Sequence, residues 1–381
     1  MRNKKSARAK ILKDLSEGFQ QRTIRGDYMD DPNFRAAYGE YYGEVGFEKG
    51  LSLSFEILER LGSGVFGGRT PLRILDLGTG TGAFLRGVLA GLERIGASLP
   101  ELDILCVDRS LSALQDLEKN WKIREGVRFR VKAASLPGPE LAIGSSETID
   151  LVLMANVLAE NEDRLPEFAF MFDRMAGRMN EGGIILLVEP ADRRASRALL
   201  RLGDQLMAIR SDLRIVAPCP NERTASCPAL QNIDNWCHED RPAHFSGDLR
   251  RSALMLGHVK DALKMSYMIF RKGTPPPLVP SLRLVSTIKK EKGLVWGVFC
   301  RGEDLVPIRL LKRDRSDSTR PFYRLKKGDS IALPSFLKDR TLSFRTGSRA
   351  DWPEGEAVIR LTGPDGHPYR QERGDAPGEE E

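Results

Sequence analysis

Ile74-Leu75-Asp76-Leu77-Gly78-Thr79-Gly80-Thr81-Gly82-Ala83-Phe84 runs from a short apolar strand through three alternating glycines into an amphipathic stretch, Phe84–Ile95. Glycine lets the backbone turn tightly and approach a ligand closely, and the helix that follows presents unpaired N–H groups at its first turn. The string also satisfies the looser dinucleotide pattern G-x-G-x-x-A through Gly78, Gly80 and Ala83, so the glycines alone do not choose the ligand. A tight turn serving only the chain's own packing is a third reading.

Two carboxylates narrow the choice. Asp76 stands at the strand's end, where it would repel a pyrophosphate but suit the ammonium group of S-adenosylmethionine. Asp108 ends the next apolar run, 26 residues after Gly82, placed to accept hydrogen bonds from both hydroxyls of a ribose. A dinucleotide site usually wants that acid about 20 residues on. The acid followed by G-x-G-x-G resembles the first motif of the class I S-adenosylmethionine-dependent methyltransferases, over roughly residues 71–190. The resemblance implies S-adenosylmethionine as cofactor, with Asp76, Gly78, Gly80, Gly82 and Asp108 around it. Asn156, at the end of the fourth strand, either joins them facing the substrate or caps the next helix. The segment Asp150–Leu158 holds no Asn-Pro-Pro-Tyr type motif, so no catalytic base is named. Methyl transfer from a sulfonium needs little beyond alignment of nucleophile and methyl.

Outward from the loop, short apolar runs alternate with amphipathic stretches. Strands are expected at Arg73–Leu77, Asp103–Val107, Val127–Val131, Ile149–Met154, Gly183–Val188, Leu213–Ala217 and Met265–Arg271. Helices are expected at Leu111–Trp121, Leu165–Met179 and 193–210, and a helical pattern covers 34–62. In 193–210, Ala195, Ala198, Leu199, Leu202, Leu206 and Ile209 form an apolar stripe, with Arg193, Arg194, Arg197, Arg201 and Arg210 opposite. This alternation predicts an α/β fold, a Rossmann-like, seven-stranded class I methyltransferase sheet with helices on both faces.

Residues 217–245 interrupt that pattern with Cys, Pro, Asn and His. Cys219, Cys227 and Cys237 fall within 19 residues of a proline-punctuated loop, and Cys300 closes a later strand. Cys106 sits inside a predicted buried strand and behaves as a small hydrophobe. Four thiolates could hold zinc or an iron–sulfur cluster. The gaps of seven, nine and sixty-two residues contain no close pair of the kind that makes a zinc knuckle. Single cysteines from separate loops suit a bulkier group better, and the radical-enzyme run C-x-x-x-C-x-x-C is absent. Unliganded thiols, and a nucleophilic Pro218-Cys219 as in cytosine C5 methyltransferases, are the other readings. His238 directly follows Cys237 and is an alternative ligand, but adjacent residues rarely both reach one metal, so it reads as a loop-packing neighbour of the cysteines.

The series Ala217-Pro218-Cys219, Cys227-Pro228-Ala229-Leu230 and Trp236-Cys237-His238 resembles one family, the small-ribosomal-subunit methyltransferase-like proteins of mitochondria and bacteria. Lys264-Met265-Ser266-Tyr267, Arg283-Leu284-Val285-Ser286, the Cys300 strand and Lys327-Gly328-Asp329 carry the resemblance on, over about residues 71–335. It implies a 4Fe-4S cluster on Cys219, Cys227, Cys237 and Cys300, with zinc as the alternative, and action on the small ribosomal subunit or its rRNA during assembly. Upstream, Ala36-Ala37-Tyr38-Gly39-Glu40-Tyr41-Tyr42 replaces the family's usual helix.

Composition agrees with a folded chain: 381 residues, 41% hydrophobic and 29% charged, with a net charge of +6. No apolar run approaches the roughly 18 residues that span a bilayer, and the basic stretch of residues 1–22 lacks the apolar run expected of a secretory signal. Residues 1–26 carry eight Lys/Arg against two acids and residues 312–327 seven against two, which points to a polyanionic partner. The expected organisation is a basic helical region 1–70, a methyltransferase domain 71–272 with the Cys-rich insertion 217–245, a small β module 275–361 that contributes Cys300, and an acidic, disordered tail 362–381. The expected protein is a monomer apart from the ribosome, with no membrane partner. It is expected to be cytoplasmic in a bacterium and in the mitochondrial matrix in a eukaryote.

Overall fold

The computed structural model describes residues 2–332 apart from positions 25, 95–100, 122–125, 139–146, 224, 244, 258–261, 276–280 and 313–319. Residues 333–361, assigned above to the β module, and the acidic tail lie outside the described residues.

The chain opens with helices α1 (Arg2–Gln21), α2 (Pro32–Tyr38) and α3 (Glu44–Leu61), the last two joined by a π-turn at Gly39–Gly43. The helical pattern of 34–62 is therefore three pieces. Then come β1 (Leu72–Leu77), α4 (Ala83–Arg94), β2 (Leu102–Asp108), α5 (Leu111–Asn120), β3 (Val127–Ala133), β4 (Ile149–Ala155), α6 (Leu165–Arg178), β5 (Met179–Pro190), α7 (Arg193–Ile209) and β6 (Leu213–Ala217). After the cysteine loop follow β7 (Glu239–Pro242), α8 (Gly247–Met255) and β8 (Ala262–Lys272).

The main sheet runs β3-β2-β1-β4-β5-β8-β6, with β8 antiparallel to both its neighbours. The seven expected strands are all present, and the fold is the class I methyltransferase arrangement. The count of seven needs one correction: β7 pairs with β8 and makes the sheet eight-stranded. Glu239-Asp240-Arg241-Pro242 has too few apolar residues to read as a strand. It is held instead by buried ion pairs, Arg241 with Glu239 (2.6 Å) and with Glu56 of α3.

Strands β1, β4 and β5 are buried on both faces, as a parallel sheet covered by helices requires. One face packs Leu53, Ile57, Phe84, Val88 and Leu114 of α3, α4 and α5; the other packs Phe168, Phe172, Leu199, Leu202 and Leu206 of α6 and α7. α3 and α4 touch backbone to backbone. A Cβ on Gly50 would lie 2.3 Å from the Phe84 carbonyl oxygen, and one on Gly87 2.0 Å from that of Phe47. The stripe predicted for 193–210 holds except at its end, where Ile209 is 52% exposed because the helix stops there and overhangs the core.

A second, antiparallel sheet follows, built from β9 (Ser281–Leu284), β10 (Lys289–Glu291), β11 (Leu294–Cys300), β12 (Leu305–Leu311) and β13 (Ser330–Ala332). Along β11 and β12 alternate residues are buried, and Val295, Phe299, Val306, Ile308 and Leu310 form its core with Phe322. That period of two is what a sheet with one solvated face produces. Among the described residues no helix is long and apolar enough to cross a membrane.

Candidate functional sites

In the sheet order, β2 and β3 lie on one side of β1 and the chain then crosses to β4 and β5 on the other, so a crevice opens beyond the carboxyl ends of β1 and β4, where open α/β sheets take ligands. A cleft of about 230 Å³ lies there, lined by Gly78, Gly80, Asp108 and Asn156 of the predicted set. Gly78 and Gly80 have φ of +69° and +52°, which only glycine adopts without strain. Asp108 accepts the Gly80 N–H at 2.8 Å and the Ser110 N–H at 2.9 Å, so the second acid already organises the loop. Each carboxylate oxygen keeps a lone pair for a ligand hydroxyl. Burial pushes its pKa above the usual carboxylate range.

Asp76 and Gly82 take different places. Asp76 is 2% exposed beneath the loop and accepts a hydrogen bond from the Thr79 hydroxyl; burial raises its pKa to about 7. Gly82 packs on α5, where a Cβ would meet Leu117 Cδ1 at 2.5 Å. Neither lines the cleft among the described residues.

Asn156 lines the cleft in a left-handed conformation, φ +59°, and its Oδ1 lies 3.4 Å from Lys49 Nζ of α3. Of the two roles weighed for it, capping belongs to another residue. Glu189, closing β5, accepts the N–H groups of Val157 (3.0 Å), Leu158 (2.8 Å) and Ala159 (3.0 Å). A glutamate beside the turn in space reaches all three donors. Burial lifts Glu189 to about 8 despite those bonds.

The rest of the lining was not foreseen. Tyr28 and Tyr38 of the N-terminal region, with Arg109 and Glu160, complete the cleft. Arg109 donates to Glu160 at 3.0 Å, and the Tyr28 hydroxyl bonds to the same carboxylate. The segment is latched down: Ser110 Oγ donates to Asp30 (2.6 Å), and Arg35 donates to Asp116 (2.6 Å) and to the Met29 carbonyl (2.6 Å). Phe19, Tyr28, Tyr38 and Tyr42 pack ring against ring above it. The available signal is four tyrosines among residues 28–42, within the stretch assigned above to a basic helical region.

The four cysteines meet at a second place. Cys219, Cys227, Cys237 and Cys300 all line one cavity of about 350 Å³, between the cysteine loop and β9, β11 and β12. Cys106 is remote from it, fully buried in β2. The loop is nailed down by side chains reading its backbone. Arg197 Nη1 donates to the carbonyls of Ala229 (3.1 Å), Asn232 (2.8 Å) and Asn235 (2.7 Å). Arg197 is thus 9% exposed, inside the structure and off the solvent-facing arginine row that periodicity gave it. Asn221 bridges to the second sheet through the Ser281 (2.9 Å) and Arg301 (2.6 Å) carbonyls.

Arg283 Nη1 donates to Cys237 Sγ at 3.2 Å, and the Gly302 N–H to Cys300 Sγ at 3.4 Å. Burial pushes the Cys300 thiol up to about 12 and raises Cys219 and Cys227 as well, so a metal bound by these three would displace their protons. Among the described residues no group of three or more His, Cys, Asp or Glu side chains is arranged to hold a metal ion. Four cysteine sulfurs lining one cavity are a donor set that either a zinc ion or an iron–sulfur cluster takes. His238 does not line the cavity. Its ring stacks on Trp236, its Nε2 is 2.9 Å from Lys327 Nζ, and burial beside that ammonium lowers its pKa to about 4.

A family model described as mitochondrial small ribosomal subunit Rsm22 matches residues 66–325. Among solved structures, the plantazolicin methyltransferase BpumL in complex with SAH is 14% identical, with a TM-score of 0.37, over 69% of this chain and 99% of that one. Loganic acid methyltransferase with SAH is 8% identical, with a TM-score of 0.40, over 62% of this chain and 97% of that one. The N-methyltransferase NodS from Bradyrhizobium japonicum WM9 is 16% identical, with a TM-score of 0.34, over 60% and 97% respectively. No curated protein matches the sequence.

Proposed function

The chain belongs to the Rsm22 family of the mitochondrial small ribosomal subunit, and on that premise we propose that it binds S-adenosylmethionine and transfers its methyl group to small-subunit rRNA during subunit assembly. The observation that carries the cofactor reading is the cleft at the ends of β1 and β4, where Gly78, Gly80 and Asp108 stand opposite Asn156. There the loop backbone would hold the cofactor's amino-acid end and Asp108 its ribose. The Tyr28–Tyr38 roof would exclude water, and a nucleotide would approach past Asn156. Alignment of nucleophile and methyl is then the main contribution the chain must make.

The cysteine cavity is assigned, in the same proposal, to a 4Fe-4S cluster held by Cys219, Cys227, Cys237 and Cys300; a single zinc is the weaker alternative. Such a cluster supplies a rigid cross-link, fixing the loop and the β module to the main sheet. The partner is the small subunit or its rRNA, in the mitochondrial matrix if the source is eukaryotic and in the cytoplasm if bacterial.

A second reading, an assembly factor that binds the cofactor without turnover, has one observation in its favour. Glu160, a carboxylate in the cleft, is committed to Arg109 and Tyr28 and so is not poised as a base. Calorimetry with S-adenosylmethionine tests the shared premise: no heat and no thermal shift would end both readings. Transfer of labelled methyl to small-subunit rRNA then separates them. Binding of that rRNA should weaken steeply between about 50 and 200 mM salt, and affinity flat in salt would remove RNA as the partner.

A further inference from the structure

Arg283 is 1% exposed and heads the fully buried side chains by volume. Its Nη2 meets Glu239 at 2.6 Å and its Nη1 meets Cys237 Sγ at 3.2 Å, while its Nε has no partner among the described residues. Arg223, 4% exposed, pairs through Nη1 with Asp204 at 2.5 Å, and its Nε and Nη2 have no partner among the described residues. Buried N–H groups of a guanidinium are costly to leave unfilled. Arg283 lines the sulfur-lined cavity, so its Nε is unused donor capacity where an anionic ligand would sit, and Arg223 stands in the loop between Cys219 and Cys227.

The charges near the sulfurs point the same way. The carboxylates are tied up elsewhere: Glu239 is shared between Arg241 and Arg283, Arg241 reaches on to Glu56, and Asp204 also receives the Cys227 N–H. Four thiolates around a cluster core of charge +2 leave a buried net charge of about −2. Guanidinium donors are suited to oppose such a charge.

We infer that Arg283, donating an N–H···S hydrogen bond from the cavity wall, and Arg223, through the Asp204 that accepts the Cys227 N–H, are the positioning residues of the cysteine site and set the reduction potential of the group bound there. The inference rests on the cluster reading. It says, beyond that reading, which non-ligand side chains tune the group.

The test uses the full chain loaded with iron and sulfide under anaerobic conditions. Three quantities are read: iron content, the midpoint potential of reduction by dithionite followed in the visible spectrum, and the rate of iron loss to a chelator. Arg223→Met should keep its iron, shift the midpoint to more negative values, and lose iron on the order of tenfold faster. Arg223→Lys, which restores the charge, should recover most of the midpoint. Arg283→Lys keeps the pairing with Glu239 and should shift the midpoint in the same negative direction, so it gives the reading if Arg223→Met does not fold. Iron-replete variants with the midpoint and release rate of the unaltered protein would overturn the arginine inference and leave the cluster standing. An unaltered protein that takes up no iron would overturn the cluster reading, and this inference with it.

Discussion

At the cofactor cleft, Gly78, Gly80 and Asp108 lie within 30 residues of one another, at the carboxyl ends of two neighbouring strands of one sheet. At the cysteine cavity, Cys219 and Cys300 are 81 residues apart, and the second belongs to a different sheet. The cleft is shaped by backbone: positive-φ glycines and a carboxylate taking two N–H groups. The cavity is shaped by side chains, with Arg197, Asn221, Arg223 and Arg283 holding a loop that has little regular structure. A site made by a strand–loop–helix unit should survive the loss of one side chain. A site made by long-range side-chain contacts should fail as a unit.

The sharpest break of that contrast is Cys300→Ser. It should reduce iron from about four per chain to near zero and speed amide exchange across β9 to β13, with β1 to β5 still protected. Unchanged iron content would remove Cys300 from the ligand set. Next in size, Asp108→Asn should weaken S-adenosylmethionine by about tenfold to a hundredfold, the cost of hydrogen bonds to a charged acceptor. Calorimetry finding less than a twofold change would mean the ribose is held by other groups.

A smaller effect concerns pH and Asp76. Its pKa in the fold, about 7, lies above the ordinary value near 3.9, so the protonated form is favoured by folding. The ligand-free protein should therefore lose stability as pH rises from about 4 towards 7. If Asp76 pairs with the cofactor's ammonium, affinity should gain over the upper part of that window, by roughly tenfold per unit below pH 7. It should fall again above about 8, where an α-amino group loses its proton. Titration calorimetry between pH 6 and 8 decides the matter: constant affinity would leave Asp76 as the acceptor that holds Thr79 and the loop. Smallest of all, Tyr28→Phe should cost about twofold to tenfold in cofactor affinity through loss of one hydrogen bond to Glu160. No change would make the tyrosine roof a matter of packing alone.

Much of this architecture is legible in the sequence because it is local. The run Ile74–Phe84 specifies strand, turn and helix by its own residue types, and the seven strands of the main sheet announce themselves as apolar runs. Glu189 and Asn156 show where that legibility stops. Both end strands, and which one caps the turn after β4 depends on β5 lying alongside it. Arg197 is a similar case. Helical periodicity puts it on the solvent face, and the cysteine loop, arriving from 30 residues downstream, covers that face. Strand β7 escaped because its residues are charged, and they become buried only through partners on α3, β8 and β9.

The sequence by itself determined the class of fold, the position of the glycine loop and its acid, and the identity of four cysteines set apart from any core pattern. Those features rest on backbone preferences and hydrophobic period, which act over a few residues. Tertiary structure decided that the four cysteines share one cavity, that two tyrosines from the N-terminal region line the cleft, and that the buried Arg283 reaches a sulfur. Those depend on which distant segments are brought together to exclude water, and a buried charge gains its partner only once the chain has closed around it.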